Sequence, residues 1–136
     1  MPMLLHVHHV QYVVRNRDEA VAYWEKNFGL KPYHQADLKS DKQALYHVGQ
    51  TQLAISEPTD PDTELAHFLA EHGPSVQHVA WGVENISEVA KELVGKGTTL
   101  RDGLKIHKAA HGYNVINILP EAAMGIFHLQ LAENLK

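Results

Sequence analysis

The sequence predicts an α+β fold made of two tandem βαβββ modules. The chain repeats itself at a shift of 69 residues near the start of each module and at a shift of 76 near the end. At the same point of both copies, two-residue alternation gives way to helical spacing. We therefore expect one domain, with module one at about residues 5–57, a connecting helix at about 61–72 and module two at about 75–133.

The first strand of each module carries a histidine at the same place. A shift of 69 residues lays "HHVQYVVRNRDE" (8–19) over "QHVAWGVENISE" (77–88) and pairs His9 with His78. Because side chains alternate along a strand, both histidines should lie on the face opposite the apolar side chains. That apolar face is predicted to carry Val10, Tyr12 and Val14 in the first copy and Val79, Trp81 and Val83 in the second.

The N-terminal stretch "LHVHHV" (5–10) contains three histidines, but only His9 has a counterpart in the second copy. The chain contains 11 histidines, so neighbouring ones can occur by chance. Strand alternation puts His6 and His8 on the face opposite His9. We interpret these two as surface or edge residues.

A helix is predicted after each first strand, and another between the modules. Asn16 with Glu19, and Asn85 with Glu88, have the spacing of a capping box in which Asn stands for the commoner Ser or Thr. In the connecting segment, Pro61 suits the first turn of a helix, and a Gly-Pro pair ends it. Four weaker strand patterns, "LKPYHQAD", "ALYHVG", "KIHKA" and "NVINILP", fill the rest of the modules.

The last strands of the two modules can be aligned too. A shift of 76 residues pairs "QLAISE" (52–57) with "HLQLAE" (128–133), so that Ala54 overlies Gln130. A competing alignment, anchored on a nearby glycine, puts Leu129 at this position. We prefer Gln130, because Leu129 belongs to the apolar face of its strand.

Composition excludes several classes of protein. With 136 residues and 15.2 kDa, of which 44% are hydrophobic and 21% charged, the chain is an ordinary globular domain. No apolar run approaches the roughly 20 residues of a membrane span, and the N-terminus lacks a signal-peptide pattern, so we expect a cytoplasmic protein. A net charge of −4 without a basic cluster argues against nucleic acid. Because cysteine is absent, a metal would need imidazole, carboxylate or amide oxygen.

The duplicated layout, with a histidine on each first strand, resembles the vicinal oxygen chelate superfamily. That superfamily includes glyoxalase I, methylmalonyl-CoA epimerase, extradiol dioxygenases, 4-hydroxyphenylpyruvate dioxygenase and the fosfomycin- and bleomycin-resistance proteins. The segment "EPTDPDTELAHFLAEHGPSVQHVAW" (57–81) is similar to the central part of the epimerase and of 4-hydroxyphenylpyruvate dioxygenase. The resemblance implies a cupped mixed sheet with helices outside, a divalent metal inside, a small-molecule substrate and a homodimer.

The resemblance also implies a set of metal ligands. These would be His9, His78 and, on the final strand, Gln130, with Fe, or else Zn, Ni, Co or Mn, as the metal. Glyoxalase I and the epimerase bring Glu or Gln from both module ends, whereas Ala54 cannot bind a metal. An amide oxygen brings no charge, so we expect weaker metal binding and a stronger Lewis acid. His128, two positions before Gln130, is a substitute ligand or an acid/base.

Three functions remain open. The first is a dioxygenase-like enzyme acting on a catechol or 2-oxo acid. The dioxygenases of the family use two histidines and one carboxylate from the final strand, so the missing ligand at Ala54 is compatible with their plan, whereas Gln130 stands where they carry Glu. A lyase or isomerase of glyoxalase or epimerase type is the first alternative. It would need His47 or His128 as its base, because the predicted inner face has no carboxylate. The strand "ALYHVG" is expected to offer Tyr46 and His47 to that face. A metal-free binding or resistance protein is the second alternative.

Overall fold

A computed structural model describes residues 3–109 and 112–134. The chain forms two compact units. The first unit comprises residues 9–77, and the second unit comprises residues 78–136 together with residues 1–8. Two strands are therefore divided between the units. The first residues of the N-terminal strand belong to the second unit, and residues 75–77, which begin the strand after the connecting helix, belong to the first.

The first unit contains a mixed sheet, a helix that follows its first strand, and the connecting helix. Its strands lie in the order β2-β3-β4-β1, with β1 parallel to β4 and the other pairs antiparallel. Its elements are β1 (His6–Val13), α1 (Arg17–Phe28), β2 (His34–Asp37), β3 (Asp41–Val48), β4 (Thr51–Pro58) and α2 (Glu64–His72).

The second unit repeats this arrangement. Its strands lie in the order β5-β8-β7-β6, again with the first strand parallel to the last. Its elements are β5 (Ser75–Gly82), α3 (Ile86–Gly95), β6 (His107–Lys108), β7 (Tyr113–Ile118), a 3-10 turn (Pro120–Ala122) and β8 (Leu129–Asn134). The predicted order of strand, helix and three strands is confirmed in both copies, as is the α+β class.

Each helix packs on the predicted apolar face of its sheet. In the first unit, apolar side chains of α1, including Trp24, join a cluster with Tyr46 and Ile55. In the second, Val89 and Ala90 of α3 pack against Leu131. Burying these faces supplies the main driving force for each unit. The strand residues predicted for the clusters and found there are Val10, Tyr12 and Val14 in the first unit, and Trp81 and Val83 in the second.

The two helix starts are capped differently, although their sequences correspond. At α1, the Asn16 side chain accepts a hydrogen bond from the backbone N–H of Glu19 at 2.9 Å, as predicted. Asn85 instead adopts a left-handed φ of 52° and makes no side-chain cap. The carboxylate of Glu133 accepts from the backbone N–H groups of Asn85 and Ile86 in its place. The predicted capping box of the second copy is therefore wrong.

The connecting helix α2 begins at Glu64, three residues later than Pro61 suggested. Thr63 is its N-cap, because its hydroxyl accepts from the backbone N–H of Ala66 at 3.2 Å. The segment before it closes a turn through the N–H of Thr63 and the carbonyl of Asp60. Within residues 3–109 and 112–134, no helix has the length and apolar character needed to cross a membrane.

Candidate functional site

His9 is buried on the sheet face opposite α1. Its side chain is 2% exposed. In the parallel ladder of β1 and β4 it pairs with Gln52, and in the antiparallel ladder of β4 and β3 Gln52 pairs with His47. Because cross-strand partners share a face, His9, Gln52 and His47 form a row across three strands. The predicted face of His9 is therefore the observed one.

His47 is covered by an aromatic ring. Tyr33 stacks on it with ring centroids 3.9 Å apart and planes at 5°, and the Tyr33 hydroxyl donates to Oε1 of Gln52 at 2.9 Å. Burial raises the pKa of Tyr33, which keeps the hydroxyl a neutral donor. Tyr46, the neighbour of His47, points to the other face and lies in the core against α1. Placing it beside His47 on one face was wrong, because adjacent strand residues alternate.

The second unit brings together three of the predicted site residues. The rings of His78 and His128 stack with centroids 4.2 Å apart and planes at 27°. Nε2 of His128 lies 2.8 Å from Oδ1 of Asn117, and Nε2 of Gln130 donates to the same oxygen at 3.1 Å. Leu129 packs in the core with residues of α3. Of the two aligned candidates, Gln130 is thus the one on the inner face.

Asn117 is a polar site residue that the sequence reading missed. It lies on β7, opposite Gln130 in the antiparallel ladder with β8. Because its Oδ1 is an acceptor, Nε2 of His128 must carry the hydrogen that bonds to it. In the neutral imidazole, Nδ1 of His128 is then the nitrogen without a hydrogen. A lone polar residue between Ile116 and Ile118 is the signal that could have identified it.

His8 is not a surface or edge residue, so that prediction was wrong. It is 6% exposed, its Nε2 lies 2.7 Å from Oδ1 of Asn134, and its ring meets Tyr113 edge-on at 4.7 Å. Burial lowers the pKa of His8 and favours its neutral form. The ring of His6 lies so close to Gly82 that a side chain there would collide with it. Both histidines serve the packing of the second unit.

The donor chemistry of the predicted ligands suits a divalent metal. Two neutral imidazoles and one amide oxygen are ligands that Fe, Co, Ni and Zn accept. His9 belongs to the first unit, whereas His78 and Gln130 belong to the second. Across the described ranges, no three His, Asp or Glu side chains are grouped closely enough to hold a metal together.

The chain belongs to the Glyoxalase/Bleomycin resistance protein/Dioxygenase superfamily, whose sequence profile matches residues 8–116. Among curated proteins, it is similar to 4-hydroxyphenylpyruvate dioxygenase from Yarrowia lipolytica, with 29% identity over 112 residues that cover 76% of this chain and 28% of that protein. The same enzyme from Caenorhabditis briggsae is 27% identical over 97 residues, covering 68% and 25%. The chain spans about a quarter of the length of these curated relatives.

Solved structures confirm the fold. Methylmalonyl-CoA epimerase from Mycobacterium tuberculosis superposes with a TM-score of 0.87 and 21% identity, covering 100% of this chain and 92% of that one. A hypothetical protein from Bacillus halodurans C-125 superposes with a TM-score of 0.84 and 22% identity, covering 96% and 94%. The fold class predicted from the internal repeat is thus the fold of these neighbours.

Proposed function

We propose that this chain is a divalent-metal-dependent enzyme in which His9, His78 and the amide oxygen of Gln130 hold the metal. The observation that carries the proposal is the orientation of the Gln130 amide. Its NH2 group donates to Asn117, so its oxygen points away from Asn117. The oxygen is the amide atom that can bind a cation. Gln130 is also 8% exposed, so water competes little for that oxygen.

The proposed substrate class rests on the proposed ligand set and on the curated relatives. Two imidazoles and an amide add no negative charge, and Ala54 adds no fourth ligand. When bound, the ion would polarise oxygen atoms of a substrate and, as iron, would support oxygen chemistry. The protein would supply the surrounding groups, including His128 as an acid/base. We therefore propose a dioxygenase-like reaction on a catechol or 2-oxo acid, which the similarity to 4-hydroxyphenylpyruvate dioxygenases supports.

An isomerase of the epimerase type is the second candidate, and one pair of side chains favours it. Nε2 of His107 lies 2.5 Å from a carboxylate oxygen of Asp102. His107 pairs with Val115 in the ladder of β6 and β7, and therefore lies on the same face as Asn117. An imidazole oriented by a carboxylate is a suitable base for removing a proton next to a carbonyl. His47, the other predicted base, is stacked under Tyr33.

Metal analysis of protein purified without a histidine tag tests the main proposal. We expect stoichiometric metal in the wild type and its loss in both His9→Ala and His78→Ala. His67→Ala, which removes an exposed histidine of α2, is the matched control and should keep its metal. If wild-type protein incubated with Fe²⁺, Zn²⁺, Ni²⁺, Co²⁺ and Mn²⁺ retained none of them, the metal-free binding protein would be the remaining function.

Several finer properties stay predictions. These are a small-molecule substrate, a cytoplasmic location and a homodimer. Sedimentation equilibrium measures the last directly, with an expected mass of twice 15.2 kDa.

A further inference from the structure

We infer that Asn117 is a positioning residue that couples the orientation of the Gln130 amide to the location of the proton on His128. The inference rests on the proposed role of Gln130 and extends it to a residue outside the ligand set. It concerns Gln130 of β8, His128 immediately before that strand, and Asn117 of β7, all in the second unit.

A single oxygen accepts both hydrogen bonds. Oδ1 of Asn117 lies 3.1 Å from Nε2 of Gln130 and 2.8 Å from Nε2 of His128. A carbonyl oxygen has two lone pairs, so these two donors use its full capacity. Gln130 lies in β8 and His128 immediately precedes that strand, and both side chains reach the same oxygen of Asn117. Asn117 can therefore set the orientation of both side chains, His128 and Gln130.

The orientation of the Asn117 amide fixes its two neighbours. Because an oxygen points at Gln130, the Gln130 side chain must present its NH2 group and turn its own oxygen away. For the same reason, His128 must carry its hydrogen on Nε2 and keep Nδ1 as the acceptor. One amide therefore determines which atom of Gln130 can meet a cation and which nitrogen of His128 carries the hydrogen.

This arrangement suits glutamine and conflicts with glutamate at position 130. A carboxylate there would place an oxygen against Oδ1 of Asn117, and two acceptors repel each other. The Asn117 amide group would have to rotate by about 180° and donate through Nδ2 instead. His128 would then face a donor, so its hydrogen would have to move to Nδ1. The tautomer of His128 consequently depends on the residue at position 130.

The first test uses metal-free protein and ¹⁵N NMR of the histidine rings at about pH 8.5, two units above the usual imidazole pKa. We expect the Nε2–H tautomer for His128 in the wild type and the Nδ1–H tautomer in Gln130→Glu. Gln35→Glu, which adds the same charge at an exposed position of β2, should leave His128 unchanged. An Nδ1–H tautomer in the wild type, or the same tautomer in both proteins, would overturn the inference.

The second test measures Co²⁺ affinity by calorimetry. Loss of a group that orients a metal ligand typically weakens binding by about 10- to 100-fold, and we expect this loss in Asn117→Leu. Asn117→Asp keeps an acceptor oxygen and should retain most of the affinity. Asn114→Leu, on the other face of β7, is the matched control.

Wild-type affinity in Asn117→Leu would contradict the inference while leaving the metal proposal intact. If the wild type binds no Co²⁺, the metal proposal fails and the tautomer experiment decides the coupling.

Discussion

The side chain at position 130 sets the charge of the proposed metal site. Gln130→Glu would replace a neutral oxygen ligand by a negative one, and attraction to a divalent cation is strong in a site shielded from water. We expect Co²⁺ to bind on the order of tenfold more tightly. Gln35→Glu serves again as the charge control, since it lies at an exposed position. Equal affinity in Gln130→Glu and the wild type would remove Gln130 from the ligand set.

Tyr46 carries a buried hydroxyl that costs stability. Its side chain is 0% exposed, and its hydroxyl has no hydrogen-bond partner among the residues that the structure describes. Removing a buried polar group without a partner should be favourable, so Tyr46→Phe should raise the free energy of unfolding by about 1 kcal/mol. Urea unfolding at pH 7 measures this. A loss of more than about 1 kcal/mol would show that the hydroxyl makes a favourable contact.

The same hydroxyl predicts a pH dependence. Burial raises the pKa of Tyr46, and the nearby carboxylate of Glu25 adds to the rise. Above pH 10 the unfolded chain loses this proton first, so the folded state binds more protons and its stability falls as pH increases. Tyr46→Phe should lose less stability than the wild type between pH 9 and pH 11. Equal losses of stability in Tyr46→Phe and the wild type would contradict this prediction.

At the scale of elements, two carboxylates at corresponding positions support the two helix starts. Glu57 accepts from the backbone N–H of Arg17 at 2.8 Å, and Glu133 does the same for α3. Helix α1 has a second cap in Asn16, whereas Asn85 provides none for α3. Glu133→Ala should therefore cost about 1 kcal/mol and Glu57→Ala roughly half as much.

Chemical unfolding of the two variants measures that difference, with Glu71→Ala at an exposed position of α2 as the control. Equal costs in the two variants would mean that the Asn16 cap contributes little. A larger cost for Glu57→Ala would contradict the assignment of Glu133 as the main cap of α3.

The elements were largely predictable, because their signals are local. Alternation and helical spacing identified the first strand and helix of each copy, and the internal repeat fixed their order. The errors have a common physical cause. The cap of α3 comes from Glu133, 48 residues away from Asn85, and no local spacing reveals such a contact. The predicted start of α2 was too early because Pro61 lies in a turn at residues 60–63, which precedes the helix.

At the scale of the whole molecule, the sequence predicted the fold class but only part of the candidate site. Strand parity and the repeat put His9 and His78 on the inner faces of their sheets. Asn117 was missed because its role depends on the register between β7 and β8. The pair formed by Asp102 and His107 was missed for a similar reason, since β6 has two residues and almost no pattern of its own. Register across strands is set by tertiary packing, which one sequence does not display.

A metal that binds substrate through two neighbouring oxygens should prefer a bidentate ligand. We propose titrating Co²⁺-loaded wild-type protein with 4-nitrocatechol and with 4-nitrophenol, followed by visible absorption. Chelation should make the catechol bind at least about 100-fold more tightly than the phenol. The preference should vanish in His9→Ala and His78→Ala and persist in His67→Ala. Equal affinity of the wild type for the two probes, or an unchanged preference in His9→Ala and His78→Ala, would contradict a chelating metal site held by these histidines.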